Sequence, residues 1–286
     1  MILIIGGGFL YFKRAGFMAE FGGPLQLLSI FEKRKDPKTI SQTQSEIDAI
    51  LKDKKGTFGY TVIDLKSGET FGKNQKESFT AASTAKVVFA SYVMSKIDSG
   101  ALDRNKEWIY KSEDYEEGTG TLIGYPFGTS FSACEFVKMA LEKSDNAATN
   151  VILRYMGINN IQKFLVSKEI AGFDLTENTA TPEAMAQLLK GMERGQIVSK
   201  ESASKLIGYM KNSINPDRIV AGVPKEIPVA HKIGTEVRAI SDVAIIYHPE
   251  NPYIIVVYSK DTNGEDEPRD MIKEISKKVY EYFDSK

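Results

Sequence analysis

The sequence is poor in the residues that hold metals and disulfides. Its 286 residues include one cysteine, Cys134, and two histidines, His231 and His248. A single cysteine cannot form an internal disulfide, and these three residues form no cluster with metal-ligand spacing. We therefore expect neither a disulfide framework nor a metal, and no cofactor.

The sequence also lacks an excess of charge of either sign. Lysine plus arginine (37) nearly balance aspartate plus glutamate (38), so no field of one sign favours nucleic acid. With 42% hydrophobic residues, the chain lies outside the disordered range and can bury one large core or two small ones. We expect a globular monomer with no nucleic-acid partner.

The apolar run at the N-terminus is too short for a membrane-spanning helix. ILIIGGGFLYF resembles the core of a signal peptide, but no basic segment precedes it. Lys13 and Arg14 follow it, and by the positive-inside tendency they conflict with export of the rest of the chain. We interpret residues 1–36 as an apolar leader or anchor plus linker, with membrane association left open, and residues 37–286 as the folded domain.

From residue 37 onwards, strands are predicted near both ends of the chain and helices between them. FGYTVIDL and TFG predict a hairpin, and IPVAHKIGT, ISDVAIIYH and PYIIVVYSK predict an antiparallel meander. The predicted fold class is α/β: an antiparallel sheet flanked by N- and C-terminal helices, with an inserted all-helical lobe. The α/β lobe takes about residues 37–80 and 215–286, and the helical lobe about 81–214. A cleft between the lobes is the natural place for a site.

Cap signals mark the starts of helices in the inserted lobe. Ser132 and Glu135 occupy capping-box positions in SACEFVKMALEKS. Thr181 and Pro182 occupy the N-cap and the first helical position of TPEAMAQLLKGMERG. These signals predict separate helices joined by short turns.

Ser83 and Lys86 stand one turn apart at the start of STAKVVFASYVMSKID, which predicts one buried helix. Residues three apart share a helix face, so the hydroxyl and the amine can meet. The helix dipole and desolvation both disfavour a protonated lysine there, which predicts a neutral base beside a nucleophile. The pair is common by chance, because Ser202 and Lys205 form a second one with no supporting motif.

Two more motifs follow in order. KSDNAATN puts Ser144, Asp145 and Asn146 at the junction of two predicted helices, where a capping turn is the plain alternative. AHKIGT puts Lys232 and Gly234 on a predicted strand, where an exposed edge is the alternative. Each motif alone has a structural explanation, but three in this order point to an active site.

With these motifs the sequence resembles the class A β-lactamases and their penicillin-binding relatives, whose signature is S-x-x-K, S-D-N and K-T-G. The resemblance runs from about residue 44 to 286 and includes Phe79, TPEAMA, DRIVAGVP and DVAIIYHP. It implies the β-lactamase/transpeptidase-like fold and a serine hydrolase acting on a β-lactam or a peptidoglycan stem peptide. It also implies an extracytoplasmic location: secreted, periplasmic or membrane-anchored.

The resemblance implies a role for each motif residue in acylation. Ser83 would be acylated and Lys86 would activate it. The backbone N–H groups of Ser83 and Thr235, which follows Gly234, would form the oxyanion hole.

Proton relay and substrate binding fall to the other two motifs. Ser144 would relay a proton to the leaving nitrogen, and Asn146 would bond the substrate amide. Lys232 would attract the substrate carboxylate and steady the Ser144 hydroxyl.

Two departures from the family pattern bear on activity. Ile233 stands where K-T-G has a hydroxyl, and strand alternation puts the Thr235 hydroxyl on the same face as a partial replacement. The Glu-x-x-Leu-Asn loop that positions the deacylating water is absent. Glu177 in EIAGFDLTENTA is the best substitute, against the plainer reading of a solvated residue before the Thr181 cap. We therefore expect acylation with slow turnover.

Other polar residues carry weaker signals. His231 is expected to pack or bond locally, and Cys134 to belong to the core. Arg218 or Arg238 is a candidate for binding a substrate carboxylate. Two alternative functions remain open: a D-alanyl-D-alanine carboxypeptidase of the penicillin-binding type, and a non-catalytic cell-wall-binding protein.

Overall fold

The computed structural model describes residues 36–286 of the chain; the predicted leader or anchor before them lies outside the described residues. The helices are α1 (Ile40–Leu51), α2 (Lys86–Asp98), α3 (Ala133–Glu142), α4 (Asn146–Met156), α5 (Ile158–Ser167), α6 (Pro182–Glu193), α7 (Lys200–Lys211) and α8 (Asp266–Ser285). None of these helices is both long and apolar enough to cross a membrane.

Five strands form the main sheet, and five shorter strands form two small ones. The long strands are β1 (Thr57–Asp64), β2 (Thr70–Lys73), β8 (Val229–Glu236), β9 (Ala239–Ile246) and β10 (Tyr253–Lys260). The short strands are β3 (Phe79–Thr80), β4 (Glu107–Ile109), β5 (Ser130–Ser132), β6 (Phe173–Asp174) and β7 (Thr179–Ala180).

The main sheet is antiparallel with the strand order β2-β1-β10-β9-β8. The last strand therefore lies beside the first, with Val62 paired to Ile255. The predicted hairpin and meander are confirmed, and chain segments about 190 residues apart complete one sheet. β8 forms an edge of this sheet.

Both faces of the sheet are buried. On β10, Ile255 and Val257 pack with Ile272 and Val279 of α8, whereas Ile254 and Val256 face the core of the helical lobe. This alternation follows from the two-residue period of a strand. A strand covered on both faces reads as a continuous apolar run, as YIIVVY does.

The inserted lobe contains α2 to α7, and the predicted caps are present. Thr181 accepts a hydrogen bond from the Ala184 N–H, with Pro182 at the first helical position, and Ser132 and Glu135 form a capping box. The small sheets β3-β7-β6 and β4-β5 add to the expected all-helical lobe. Their strands have two or three residues, which is too short for a periodic pattern to predict them.

Candidate active site

Ser83 lies in a turn that precedes the helix rather than in the helix itself. Residues Ala82–Ala85 form a 3₁₀ turn, and α2 begins at Lys86. The Thr84 hydroxyl donates to the Ala81 carbonyl at 2.6 Å and lies 2.9 Å from the Tyr258 hydroxyl of β10. The turn that carries the predicted nucleophile is therefore attached to the sheet, and Ser83 remains partly exposed.

A cavity of about 570 Å³ opens beside this turn. Its lining includes five of the eight predicted site residues, namely Ser83, Lys86, Ser144, Asn146 and Thr235, together with Ile233 and Arg218. The S-x-x-K and S-D-N motifs and the strand β8 thus meet around one space. Lys232 and Gly234 reach this group through the contacts described below.

Unusual backbone conformations concentrate around the cavity. Four of its lining residues other than glycine have positive φ angles: Ala82 (48°), Ser144 (53°), Asn178 (50°) and Asn215 (56°). Such residues persist only where the surrounding structure holds them, and they cluster at functional sites. The backbone thus marks the same place as the sequence motifs.

The Lys86 side chain is buried and held by the S-D-N motif. Its Nζ donates to the Ser144 carbonyl at 2.6 Å and to Asn146 Oδ1 at 2.7 Å, and lies 3.4 Å from Ser144 Oγ. Burial lowers the pKa of Lys86 to about 8, although the charges of Asp145 and Glu116 act in the opposite direction. A neutral amine that donates twice keeps a lone pair with which it can accept a proton.

Lys232 approaches the same serine from the strand. It is fully buried, and its Nζ donates to Ser144 Oγ at 2.9 Å and to the Ile233 carbonyl at 3.0 Å. Burial, and next the charge of Lys86, hold the pKa of Lys232 well below its usual value. The Ser144 hydroxyl is therefore placed between two lysines, in a position to pass a proton.

Asp145, the middle residue of S-D-N, organises the neighbouring wall instead of facing the cavity. Its carboxylate caps α4 through the Ala148 N–H at 2.9 Å and accepts from the N–H groups of Thr121 at 2.6 Å and Leu122 at 2.8 Å. The 114–124 segment is thereby fixed against α4. Its residues Glu116, Gly118 and Thr119 line the cavity, which no sequence signal predicted.

Gly234 allows β8 to pass directly against the nucleophile turn. A Cβ atom at this position would lie 2.4 Å from Ser241 Oγ and 2.8 Å from the Ala81 carbonyl oxygen. No side chain fits between these atoms. The Thr235 backbone is thus brought beside the Ser83 turn, where the predicted oxyanion hole needs it, and Ile233 and Thr235 share the cavity face as alternation predicts.

Of the two arginine candidates, Arg218 lines the cavity. Its guanidinium is buried and donates to the Gly234 carbonyl at 2.7 Å, to the Ser241 carbonyl at 2.6 Å and to Thr235 Oγ1 at 2.7 Å. Arg238 is exposed and pairs with Asp261. Arg218 and the Thr235 hydroxyl therefore form a cationic pair of donors suited to a carboxylate.

The predicted deacylation residue is not brought to the cavity. Glu177 is exposed, and its N–H donates to Asp174 Oδ1 in a local turn. Its neighbours Leu175 and Asn178 line the cavity instead. The Asn178 carbonyl accepts from the Ala81 N–H at 2.9 Å, so this loop is attached close to Ser83.

The remaining polar residues have structural contacts. Ser202 donates to Asp98 at 2.6 Å while Lys205 pairs with Glu201, away from the cavity, so the second Ser-x-x-Lys is part of the α7 start. His231 Nδ1 lies 3.2 Å from the buried Asp242 carboxylate, a local contact as predicted. Cys134 is half-buried and packs against the core.

Sequence comparison finds β-lactamases among the known proteins similar to this chain. The β-lactamase SME-1 of Serratia marcescens is 27% identical over 282 residues, covering 91% of this chain and 93% of the relative. The β-lactamase Toho-1 of Escherichia coli is 27% identical over 237 residues, covering 76% and 81%.

Solved structures share the fold. PBP-A superposes with a TM-score of 0.81 at 21% identity, covering 88% of this chain and 99% of its own. The TLA-1 extended-spectrum β-lactamase gives 0.80 at 26% identity, covering 86% and 99%. Residues 42–283 match the family model described as the beta-lactamase enzyme family. The chain therefore belongs to the beta-lactamase enzyme family, as a class A β-lactamase-like serine hydrolase.

Proposed function

We propose that the chain is acylated at Ser83 by β-lactams and releases the acyl group slowly. The observation that carries this proposal is the environment of Lys86, a buried amine with a pKa lowered to about 8 in the cavity that Ser83 lines. In the first step Ser83 Oγ attacks the lactam carbonyl carbon and its proton passes to Lys86 Nζ. The backbone N–H groups of Ser83 and Thr235 stabilise the developing oxyanion.

In the second step the carbon–nitrogen bond of the lactam breaks and the nitrogen takes up a proton. Ser144 donates that proton and recovers one from Lys86, 3.4 Å from its Oγ. Lys232, 2.9 Å away on the other side, orients the hydroxyl. The net result is an ester between Ser83 and the acyl group, with the former lactam nitrogen carrying the proton that came from Ser83.

The substrate is held at its two ends by different groups. The carboxylate binds Arg218 and the Thr235 hydroxyl, which are bonded to each other at 2.7 Å. Ile233 offers no hydroxyl to this carboxylate, so Thr235 serves alone beside the arginine. The substrate amide bonds Asn146, whose Oδ1 already accepts from Lys86 at 2.7 Å.

Slow release follows from the loop after α5. A competent β-lactamase of this family needs a base for the deacylating water, and loss of such a base costs about 10²–10⁴-fold. Glu177 is exposed outside the cavity, and Leu175 and Asn178 take the lining positions.

The absence of a loop glutamate from the cavity lining also favours a second candidate function, a D-alanyl-D-alanine carboxypeptidase acting on peptidoglycan. That reaction uses the same residues and does not need the loop glutamate. PBP-A, which shares the fold, has been solved as a variant in an acyl-enzyme complex with penicillin G.

Peptidoglycan and β-lactams are both met outside the cytoplasm, so the proposal includes an extracytoplasmic location. The apolar N-terminal run ILIIGGGFLYF fits a leader or an anchor, whereas Lys13 and Arg14 after it act against export by the positive-inside tendency.

The test is intact-protein mass spectrometry after incubation with benzylpenicillin. The wild type should gain one acyl group, and Ser83→Ala should gain none. Ser202→Ala is the matched control, since it removes the serine of the other Ser-x-x-Lys pair, and it should be labelled like the wild type. A folded Ser83→Ala protein that is still labelled would overturn the mechanism, and an unlabelled wild type would favour the non-catalytic cell-wall-binding alternative.

A further inference from the structure

The cavity carries charges of opposite sign on different walls. Arg218 and Arg269 lie on the wall formed with β8 and the start of α8. Glu116 lies on the opposite wall, where its Oε2 accepts from Asn150 Nδ2 of α4 at 2.8 Å. Arg269 is paired with Glu265 and Asp266, and Glu236 also lines the arginine wall beside Thr235. A molecule that fills this space therefore meets the buried Arg218 guanidinium at one end and the Glu116 carboxylate at the other.

Glu116 is the acidic residue of the 113–117 stretch that lines the cavity, and unlike Glu113 and Asp114 it is not paired with a cation. Glu113 and Asp114 both pair with Arg154. Glu116 forms no ion pair within residues 36–286, and its hydrogen-bond donor is the neutral amide of Asn150. A carboxylate accepts from several donors, so Glu116 has further acceptor capacity in the cavity that it lines.

The position of Glu116 indicates which part of a substrate it meets. Asn150 lies one helical turn after Asn146 on α4, so Glu116 stands on the side of the cavity where Asn146 bonds the substrate amide. The carboxylate of the substrate lies towards Arg218, on the far side. Glu116 therefore faces the acyl half, which stays on Ser83 after the bond is broken.

We propose that Glu116 selects acyl donors that carry a positively charged group on the acyl half. This inference rests on the proposed function, and it names the substrate class: an acyl donor with an ammonium group on one end and a carboxylate on the other. Among β-lactams this is an aminopenicillin, and among peptides it is a chain with a cationic side chain before the attacked bond.

Two penicillins make the test. Ampicillin and benzylpenicillin differ by one amino group on the acyl side chain, and at pH 6.5 that group is protonated. The measured quantity is the ratio of their acylation rate constants, from mass spectrometry of the adduct at timed points. Glu116 also raises the pKa of Lys86, but this effect acts on both penicillins and cancels in the ratio.

We expect Glu116→Gln to lower the ampicillin-to-benzylpenicillin ratio by about twofold to fivefold, the range measured for partly exposed charge pairs. Glu116→Lys should lower it further, and added salt should reduce the preference of the wild type.

Glu117→Gln is the matched control for the charge of the loop. Glu117 is exposed next to Glu116, but its side chain does not line the cavity. The ampicillin-to-benzylpenicillin ratio of Glu117→Gln should therefore equal that of the wild type. Glu236→Gln tests the carboxylate that lines the cavity beside Thr235, and it should change the ratio less than Glu116→Gln.

An unchanged ratio in Glu116→Gln and Glu116→Lys, with both penicillins still labelling Ser83, would overturn the inference and leave the proposed function standing. An equal fall in Glu117→Gln would also overturn it, since the effect would then come from the general field of the loop. A wild type labelled by neither penicillin would overturn the proposed function and this inference with it.

Discussion

The acylation rate of Ser83 should rise with pH and level off above about pH 9, where nearly all Lys86 amines are neutral. The perturbation is pH itself, and the responding group is Lys86, whose burial lowers its pKa to about 8. The neutral amine is the form that accepts the Ser83 proton. The rate should therefore follow the neutral fraction, which grows as the pH rises through the pKa.

The expected magnitude follows from that pKa. About 1% of Lys86 amines are neutral at pH 6, about 10% at pH 7 and about half at pH 8. A solvated lysine with its ordinary pKa of 10.5 would be only about 0.03% neutral at pH 7. Burial in this cavity thus raises the concentration of the active base about 300-fold at neutral pH.

The assay measures the rate of benzylpenicillin adduct formation between pH 6 and pH 9.5. Samples are quenched rapidly at timed points and the adduct is quantified by mass spectrometry. Lys232 is also buried with a lowered pKa, so a further variant is needed to decide which of the two lysines gives the pH profile. Glu116 is among the charges that raise the pKa of Lys86 and not among those that act on Lys232. Glu116→Gln should therefore move the profile to lower pH.

A rate that does not change between pH 6 and pH 8 would refute the assignment of Lys86 as the base. If the rate rises with pH as expected but the profile of Glu116→Gln is not shifted, the titrating group is one other than Lys86. Circular dichroism at each pH is the control that the chain remains folded.

Two further predictions concern turnover and the close approach at β8. Hydrolysis of a chromogenic β-lactam should show a burst of about one equivalent followed by slow turnover, and Glu177→Gln should behave in the same way. If the wild type instead turns over fast without a burst, and Glu177→Gln loses this turnover and accumulates the adduct, Glu177 supplies the base. Gly234→Ala should lower the free energy of unfolding by about 1–3 kcal/mol in thermal or urea melts and impair labelling, because its Cβ meets Ser241 Oγ and the Ala81 carbonyl. Gly208→Ala on α7, where a Cβ meets nothing within 4 Å, should not destabilise the chain, and equal melting of the two variants would contradict the argument.

Local chemistry explains how much of the fold the sequence predicted. Thr181 with Pro182 and Ser132 with Glu135 signal helix starts because a cap and its partner lie within one turn of each other. The run YIIVVY predicts a buried strand because side-chain burial repeats within a few residues. The order of three short motifs likewise carried the family resemblance, since each motif is local in the chain.

The site itself depends on contacts between residues far apart in sequence. Lys232 and Ser144 are 88 positions apart, and Lys86 and Asn146 are 60 apart, so no local pattern reports that they meet. The full burial of Lys232, and with it the lowered pKa, exists only once the strand is covered.

Contacts between distant segments also explain which residues the sequence analysis missed. Glu116 lies on a loop without a motif, and it lines the cavity because Asp145, from another segment, fixes the 114–124 segment through N–H groups. Conversely, Glu177 has a suitable place in the sequence, yet a local turn on Asp174 leaves it exposed. The sequence by itself determined the elements, their caps and the chemical groups available for catalysis. Which of those groups share one cavity was decided by the tertiary structure, because burial and charge act through distances in space.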